Sequence, residues 1–350
     1  MTPGFAPGVI FLIIGMGTRL AVSGSVAPLH TLRPMEGSGR LPDFYLLGHG
    51  KSGTSALYTM LAQHPQVFVG RKEPRYFAAE MHENDIPRPG GTPSTLEEYK
   101  QWFARATPEQ TVGDISPWYL WSKDAARQIA EATPDAKLIA ILREPTSFLL
   151  SLHRQWLQFY IESETDFERA IELEPARREG RETPVNGYWP KALFYSDHVC
   201  YVEQLERYRA RFPPENMLVL IYDDYRRDNE AALRSVLRFI GVDENPEIPM
   251  REVNPSVQVR SPRLNDVLRR VIVPEGPAAR SLKSAITTLT PMRVRQRVLH
   301  KTRRRFVLGE PEPPDPEFMI ELRRRLKPQV VAAGEYLGRD LVALWGYDEL

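Results

Sequence analysis

The residues with the most chemical potential lie in Gly48-His49-Gly50-Lys51-Ser52-Gly53-Thr54-Ser55. One ammonium and three hydroxyls sit in a glycine-rich turn, between an apolar run ending at Leu47 and an apolar-periodic stretch. A strand-to-helix turn of this kind aims free backbone N–H groups and the positive end of a helix at one spot. The expected occupant is a phosphate or a similar oxyanion. Lys51 adds a mobile full charge, and Ser52, Thr54 and Ser55 add donors. Arg143 and Ser151 form a second cluster. Arg143 closes the run KLIAIL at 137–142, and Ser151 lies on the helix that Pro145 opens. A guanidinium presents a bidentate fork to a phosphate, and serine adds a hydroxyl. Two such clusters suit a nucleotide phosphorylated at two positions. The bland alternatives are a tight turn with a helix cap, and an Arg143 that pairs with Glu144.

The turn is not a Walker A loop. Gly50-Lys51-Ser52 matches the end of that pattern, but the earlier glycine would fall at position 45, which is Tyr45. A nucleotide triphosphatase also wants an acid after a later hydrophobic strand to organise magnesium, and Arg143 stands there instead. That points to a metal-free site that clamps anions directly. Asp114, at the end of another strand, keeps a kinase reading open.

The elements that must position these groups alternate between strand and helix. Strands are expected at 44–47, 67–69, 111–115, 137–142 and 217–222. Helices are expected from 54 to 63, 96 to 106, 123 to 131, 145 to 161, 195 to 211 and 229 to 240, the last capped by Gly241. Residues 84–95 and 174–188 read as loops. This alternation predicts an α/β fold: a three-layer, P-loop-type arrangement with a central parallel β-sheet flanked by helices, plus a helical basic C-terminal region. Residues 1–40 read as a poorly ordered extension and 41–350 as a single domain, with a basic insertion at 251–309 and terminal helices at 316–346.

Composition bounds the rest. The chain has 350 residues, 42% hydrophobic and 26% charged, with a net charge of +1, so no whole-chain field announces a partner. Charge is nonetheless uneven: Arg251 to Arg305 holds fourteen Lys/Arg against Glu252, Asp266 and Glu275, a net of +11, which leaves about −10 for the remainder. This block is a solvated face or a peripheral contact for a membrane surface or polyanion. One cysteine, Cys200, excludes an intrachain disulfide, and no Asn-x-Ser/Thr acceptor occurs. Both fit a cytoplasmic chain. The apolar run Val9 to Met16 is short for a bilayer span and lacks a basic flank, so a signal-anchor is the weaker alternative. Seven scattered histidines and one cysteine give no metal-ligand spacing.

Several stretches together resemble the sulfotransferases that use 3'-phosphoadenosine 5'-phosphosulfate. GHGKSGTSAL resembles their 5'-phosphosulfate loop, and LREPTSFLLS their 3'-phosphate motif. RKEPRYF at 71–77 is similar to the segment that carries the catalytic glutamate in the heparan sulfate branch, and GDISPWYL at 113–120 to the acidic-x-Ser/Thr-Pro-x-Tyr segment that follows it. FPPENMLVLIYDDY and LGRDLVALW fit the same order. Ile115 stands where the glucosaminyl branch often has lysine, and Ser147 where arginine is frequent.

The resemblance implies in-line transfer of a sulfuryl group from this donor, as co-substrate, to a hydroxyl or amine, with a carbohydrate or glycolipid as the expected acceptor. It implies Glu73 as base and Lys51 as the charge that stabilises the leaving phosphate. Lys51, Ser52, Gly53, Thr54, Ser55, Arg143 and Ser151 would hold the donor, with no metal and no nucleic-acid partner. The competing classes are a P-loop kinase using Mg-ATP and a non-enzymatic polyanion-binding module. His49 reads as a spacer or a ligand contact, and His153 as a packed or surface residue. Trp118, Tyr119 and Trp121 read as an acceptor cleft or a core cluster.

Overall fold

Lys137–Leu142 is apolar almost throughout, and such a strand is stable only when both of its faces are covered. The computed structural model, which describes residues 39–78, 80, 92–159, 161–184, 190–245, 258–259, 308–309 and 313–350, shows that arrangement. In chain order the elements are β1 (Phe44–Gly48), α1 (Thr54–Leu61), β2 (Val67–Val69), α2 (Leu96–Gln101), β3 (Thr111–Ile115), α3 (Ala125–Ala132), β4 (Lys137–Leu142), α4 (Pro145–Phe159), α5 (Phe167–Glu172), α6 (Glu174–Arg178), α7 (Tyr201–Arg209), β5 (Met217–Ile221), α8 (Tyr222–Arg227), α9 (Asn229–Ile240), the two-residue strands β6 (Gln258–Val259) and β7 (Leu308–Gly309), α10 (Pro316–Leu337) and α11 (Leu341–Leu344).

Two compact units are present among the described residues, one from 39–144 and 200–245, the other from 145–199 and the parts of 258–350 that are described. The first holds the five-stranded sheet in the order β2-β3-β1-β4-β5, every pair parallel. β1 is therefore central, flanked by β3 and β4. Its alternate residues face opposite ways, as a period of two requires. Phe44 and Leu46 join Leu57, Leu61, Ile139, Ile141, Val236 and Leu237 in one core cluster. Tyr45 turns to the other face, edge-on to Phe77 and tilted against Tyr119.

α9 shows why the helices dock. Leu233, Val236, Leu237 and Ile240 recur at one-turn spacing and are all buried. Asp228 caps its start by accepting from the Ala231 N–H, and Gly241 ends it in the left-handed region. Each fully buried side chain of this size contributes about 1.5–3 kcal/mol.

In the second unit α4 contributes Phe148, Leu149, Leu152, Trp156 and Leu157 to a buried face. The expected loop at 174–188 begins instead with α6, because Pro175 opens a helix at its first turn. The expected helix 195–211 is divided into a 3₁₀ turn, Tyr195–Val199, and α7. The extension at 1–40 and the basic block at 251–309 fall almost wholly outside the described residues. No helix of the described residues is long and apolar enough to cross a membrane.

Candidate active site

Three strand ends of the first unit meet at the glycine turn. β1 leaves the sheet through Gly48, whose φ of +146° suits glycine and whose added Cβ would lie 2.5 Å from the Pro117 carbonyl oxygen. The turn then enters α1 through Gly53, at φ +84°, where a Cβ would meet the Tyr225 ring at 2.5 Å. Gly53 is the N-cap, and no side chain caps the helix. The Ala56 N–H turns back to the Gly53 carbonyl oxygen at 2.9 Å, and the Thr54 and Ser55 amides are left as the donors that this helix end presents. Ser52 is fully buried, and its Oγ has no hydrogen-bond partner. Thr54 is buried and Ser55 is half-buried on the first turn of α1.

Cations surround this turn. Arg143, just past β4, donates from Nη1 to the Lys51 carbonyl oxygen at 2.8 Å, and its Cζ lies 4.9 Å from the centre of the Tyr222 ring. The alternative in which Arg143 serves only a salt bridge to Glu144 is therefore not what the geometry presents. Lys72 donates from Nζ to Ser55 Oγ at 2.6 Å. Burial, then the charges of Arg143 and Lys72, push the Lys51 ammonium down to about 8. Three cations around a donor-rich turn raise one another's free energy, and an anion bound among them relieves that repulsion.

Glu73 stands beside the same cluster. Its carboxylate takes an ion pair from the Arg75 guanidinium and lies 3.3 Å from Lys72 Nζ. Burial alone would push this carboxyl up. The Arg75 and Lys72 charges outweigh it and hold the group near 2. Lys72 therefore links the turn, through Ser55, to Glu73. Lys51, Glu73 and Arg75 adopt positive φ values of 68°, 62° and 54°, and among the described non-glycine residues only Glu182 shares this feature. Each such conformation costs on the order of 1–3 kcal/mol and persists only where its surroundings enforce it.

The surroundings include residues with no motif to announce them. α7 lays one face across the strand ends. The Tyr201 hydroxyl donates to the Arg143 carbonyl oxygen at 2.7 Å, Gln204 Oε1 meets His49 Nε2 at 2.6 Å, and the Tyr208 hydroxyl donates to the Tyr119 carbonyl oxygen at 2.7 Å. Arg207 of the same helix bonds the Leu120 and Trp121 carbonyl oxygens. His49 is thus a buried spacer in the turn, held by Gln204. The only sequence signal for these contacts was the one-turn spacing of Tyr201, Gln204 and Tyr208.

The other candidates are all buried. Trp118, Tyr119 and Trp121 are all buried, and the Tyr119 hydroxyl is bound to Asp114, so the core reading applies to Tyr119. His153 is packed in the second unit, where its ring nitrogens face the Tyr195 hydroxyl and the Thr165 carbonyl oxygen. Ser151 is buried on α4 of that unit. Asp114, 1% exposed, spends both carboxylate oxygens on the Ser116, Tyr99 and Tyr119 hydroxyls. It is not offered to a magnesium ion, which removes the main support for the kinase reading. Among the described residues no group of three or more His, Cys, Asp or Glu is arranged to hold a metal.

Residues 42–246 match the model described as "Sulfotransferase family". The chain belongs to the sulfotransferase family. The glycine turn, Glu73 and Arg143 all lie inside the matched sulfotransferase segment. Among curated proteins, the chain is 28% identical over 213 residues to the bifunctional heparan sulfate N-deacetylase/N-sulfotransferase 4 of Mus musculus, covering 58% of this chain and 22% of that one. It is 25% identical over 241 residues to the heparan sulfate glucosamine 3-O-sulfotransferase 3A1 of Mus musculus, covering 67% of this chain and 55% of the relative. The chain therefore spans about a fifth and about half of these two relatives. Among solved structures, a sulfotransferase from Alicyclobacillus acidocaldarius superposes with a TM-score of 0.53 at 24% identity, over 70% of this chain and 96% of that one. That likeness supports the sulfotransferase fold, which the motif resemblance implies, and its parallel α/β sheet is what the strand–helix alternation predicts.

Proposed function

We propose that this protein transfers a sulfuryl group from 3'-phosphoadenosine 5'-phosphosulfate to a hydroxyl or amine of a carbohydrate acceptor, without a metal. The observation that carries this reading is the convergence of Lys51, Lys72 and Arg143 on a donor-rich turn, with a carboxylate, Glu73, at its edge. The residues present fit the donor: the Thr54 and Ser55 amides and the buried, unpartnered Ser52 hydroxyl suit an oxyanion. Lys51, Ser52, Gly53, Thr54 and Ser55 would hold its 5' end, and Arg143 its 3'-phosphate.

In the transfer, the bond from sulfur to the bridging oxygen breaks as the bond from sulfur to the acceptor atom forms. The acceptor proton passes to Glu73, and Lys51 neutralises charge on the departing phosphate. Positioning and charge stabilisation supply most of the acceleration in such group transfers. A carboxyl held near 2 is ionised but weakly basic. Arg75 and then Lys72 lower it, and Lys72, bonded to Ser55 and paired with Glu73, would release part of that hold on pairing with the transferring anion. The carbohydrate class of the acceptor is supported by the two heparan sulfate relatives and by the RKEPRYF segment.

The test is transfer of labelled sulfate from the donor to a panel of oligosaccharide, phenol and steroid-like acceptors, with and without EDTA. EDTA-insensitive labelling of a carbohydrate is expected. Labelling restricted to phenols would discard the acceptor class, and no labelling of any acceptor would discard the activity.

A further inference from the structure

We propose that Asp114 is a positioning residue that fixes the Glu73–Phe77 segment by setting the direction of two hydroxyl hydrogen bonds. The inference rests on Glu73 being the base. An ionised carboxylate only accepts. Asp114 Oδ1 takes the Ser116 hydroxyl proton at 2.7 Å, and Oδ2 takes those of Tyr99 at 2.7 Å and Tyr119 at 2.9 Å. With their protons committed to Asp114, the Ser116 and Tyr119 oxygens have only lone pairs left to offer. Each of these oxygens faces an amide of the catalytic segment: the Arg75 N–H donates to Ser116 Oγ at 3.0 Å, and the Phe77 N–H to the Tyr119 hydroxyl at 3.4 Å. A third tie, from the Glu73 N–H to the Ile115 carbonyl oxygen at 3.0 Å, comes from the same strand end.

These three bonds grip a segment whose backbone carries positive φ at Glu73 and Arg75. An amide or a protonated carboxyl at 114 would contribute a donor. One of the three hydroxyls would then lose its acceptor at 114, and where that hydroxyl is Ser116 or Tyr119, the orientation that keeps its lone pair aimed at the amide N–H is no longer fixed. Burial pushes the Asp114 carboxyl up to about 6, the three hydroxyls oppose the rise, and the Glu73 charge adds to it. The groups facing Asp114 are Tyr45 from β1, Tyr99 from α2, Ser116 and Tyr119 from the segment after β3, and Glu73. Protonating Asp114 in acid and replacing it with Asn should therefore have the same consequence.

The experiment is amide hydrogen exchange on the full chain, read on peptides spanning 72–78 and 48–61, alongside steady-state kinetics. In Asp114→Asn, peptide 72–78 should exchange at least tenfold faster while peptide 48–61 is unchanged. kcat should fall about ten- to hundredfold with the KM for the sulfate donor held. Wild-type kcat should fall as pH drops through about 6, and this acid limb should be missing from the variant. Ser116→Ala should reproduce the exchange at Arg75 and Ser116→Thr should restore it, which covers an Asn variant that fails to fold. Unchanged protection of 72–78 in both Asp114→Asn and Ser116→Ala, or faster exchange with full kcat, overturns the inference. A wild-type chain that transfers no sulfate would instead discard the reading of the activity, and the exchange result would still be legible.

Discussion

The Arg143 guanidinium donates to the Lys51 carbonyl oxygen at 2.8 Å, so the end of β4 and the turn after β1 form one cationic corner. These residues are 92 positions apart in sequence, yet β1 and β4 are hydrogen-bonded neighbours in the sheet. The relationship makes Arg143 an anchor for the turn, and the proposed function makes it a ligand group as well. Arg143→Lys keeps the charge and loses the planar fork. Adenosine 3',5'-bisphosphate should then bind about ten- to hundredfold more weakly, the usual scale for a lost charged hydrogen bond. Calorimetry with 5'-AMP as the comparison separates the two roles. AMP affinity should fall less, and an equal fall would leave Arg143 as an anchor alone.

The Lys51 ammonium, pushed down to about 8, gives anion binding a pH dependence with a definite sign. The protonated form holds the anion, and the group loses its proton as pH rises through its free value. Bisphosphate affinity should stay level from pH 6 to 7 and fall above about pH 8, by up to tenfold per pH unit. Titrations between pH 6 and 9.5 check this. A flat profile would mean that Lys51 does not touch the anion. Lys51→Ala should abolish the break and lower turnover on the order of 10²–10³-fold.

Glu73→Gln separates chemistry from binding. Removing the base should cost about 10²–10⁴ in kcat. Bisphosphate binding should be retained, because the change deletes a negative charge beside Lys72. Loss of binding equal to that of Lys51→Ala would make Glu73 a structural residue. Stability follows the same ion pairs. The folded-state carboxyl near 2 lies below its ordinary value of 4.5, so the stabilisation is present above pH 4.5 and is lost as pH falls toward 2. Denaturant midpoints for wild type and Glu73→Gln should differ at pH 7 and converge near pH 2.

Gly53→Ala tests the turn itself. A side chain there meets the Tyr225 ring at 2.5 Å and is held at a left-handed φ, which costs roughly 1–2 kcal/mol before any clash is counted. Lower thermal stability and weaker bisphosphate binding are expected together. Unchanged binding would show that the turn tolerates a different helix entry.

The sheet was legible because its strands are short apolar runs bounded by turn residues. Val67–Val69, Thr111–Ile115 and Lys137–Leu142 have the expected bounds. That Arg143 comes to the glycine turn was legible because both follow apolar runs that read as parallel strands, and neighbouring parallel strands bring those ends together. What could not be read was long-range polar pairing. The Gln204–His49 bond joins residues 155 apart, and nothing in the sequence near either one marks the other. Asp114 was visible as an acid at a strand end and as the acid of the GDISPWYL segment, and neither reading told a magnesium site from a buried hub. The three hydroxyls that decide between them come from α2 and the 116–119 segment. Residues 174–188 read as loop, although a proline at a first turn, Pro175, opens α6.

The most direct measurement of the central claim is a pair of calorimetric titrations of the wild-type chain, one with adenosine 3',5'-bisphosphate and one with 5'-AMP, at pH 7 without divalent metal. If one cationic corner grips a nucleotide phosphorylated at both ends, the bisphosphate binds at least tenfold more tightly. Equal affinity for the two nucleotides, or no binding of either, contradicts the account.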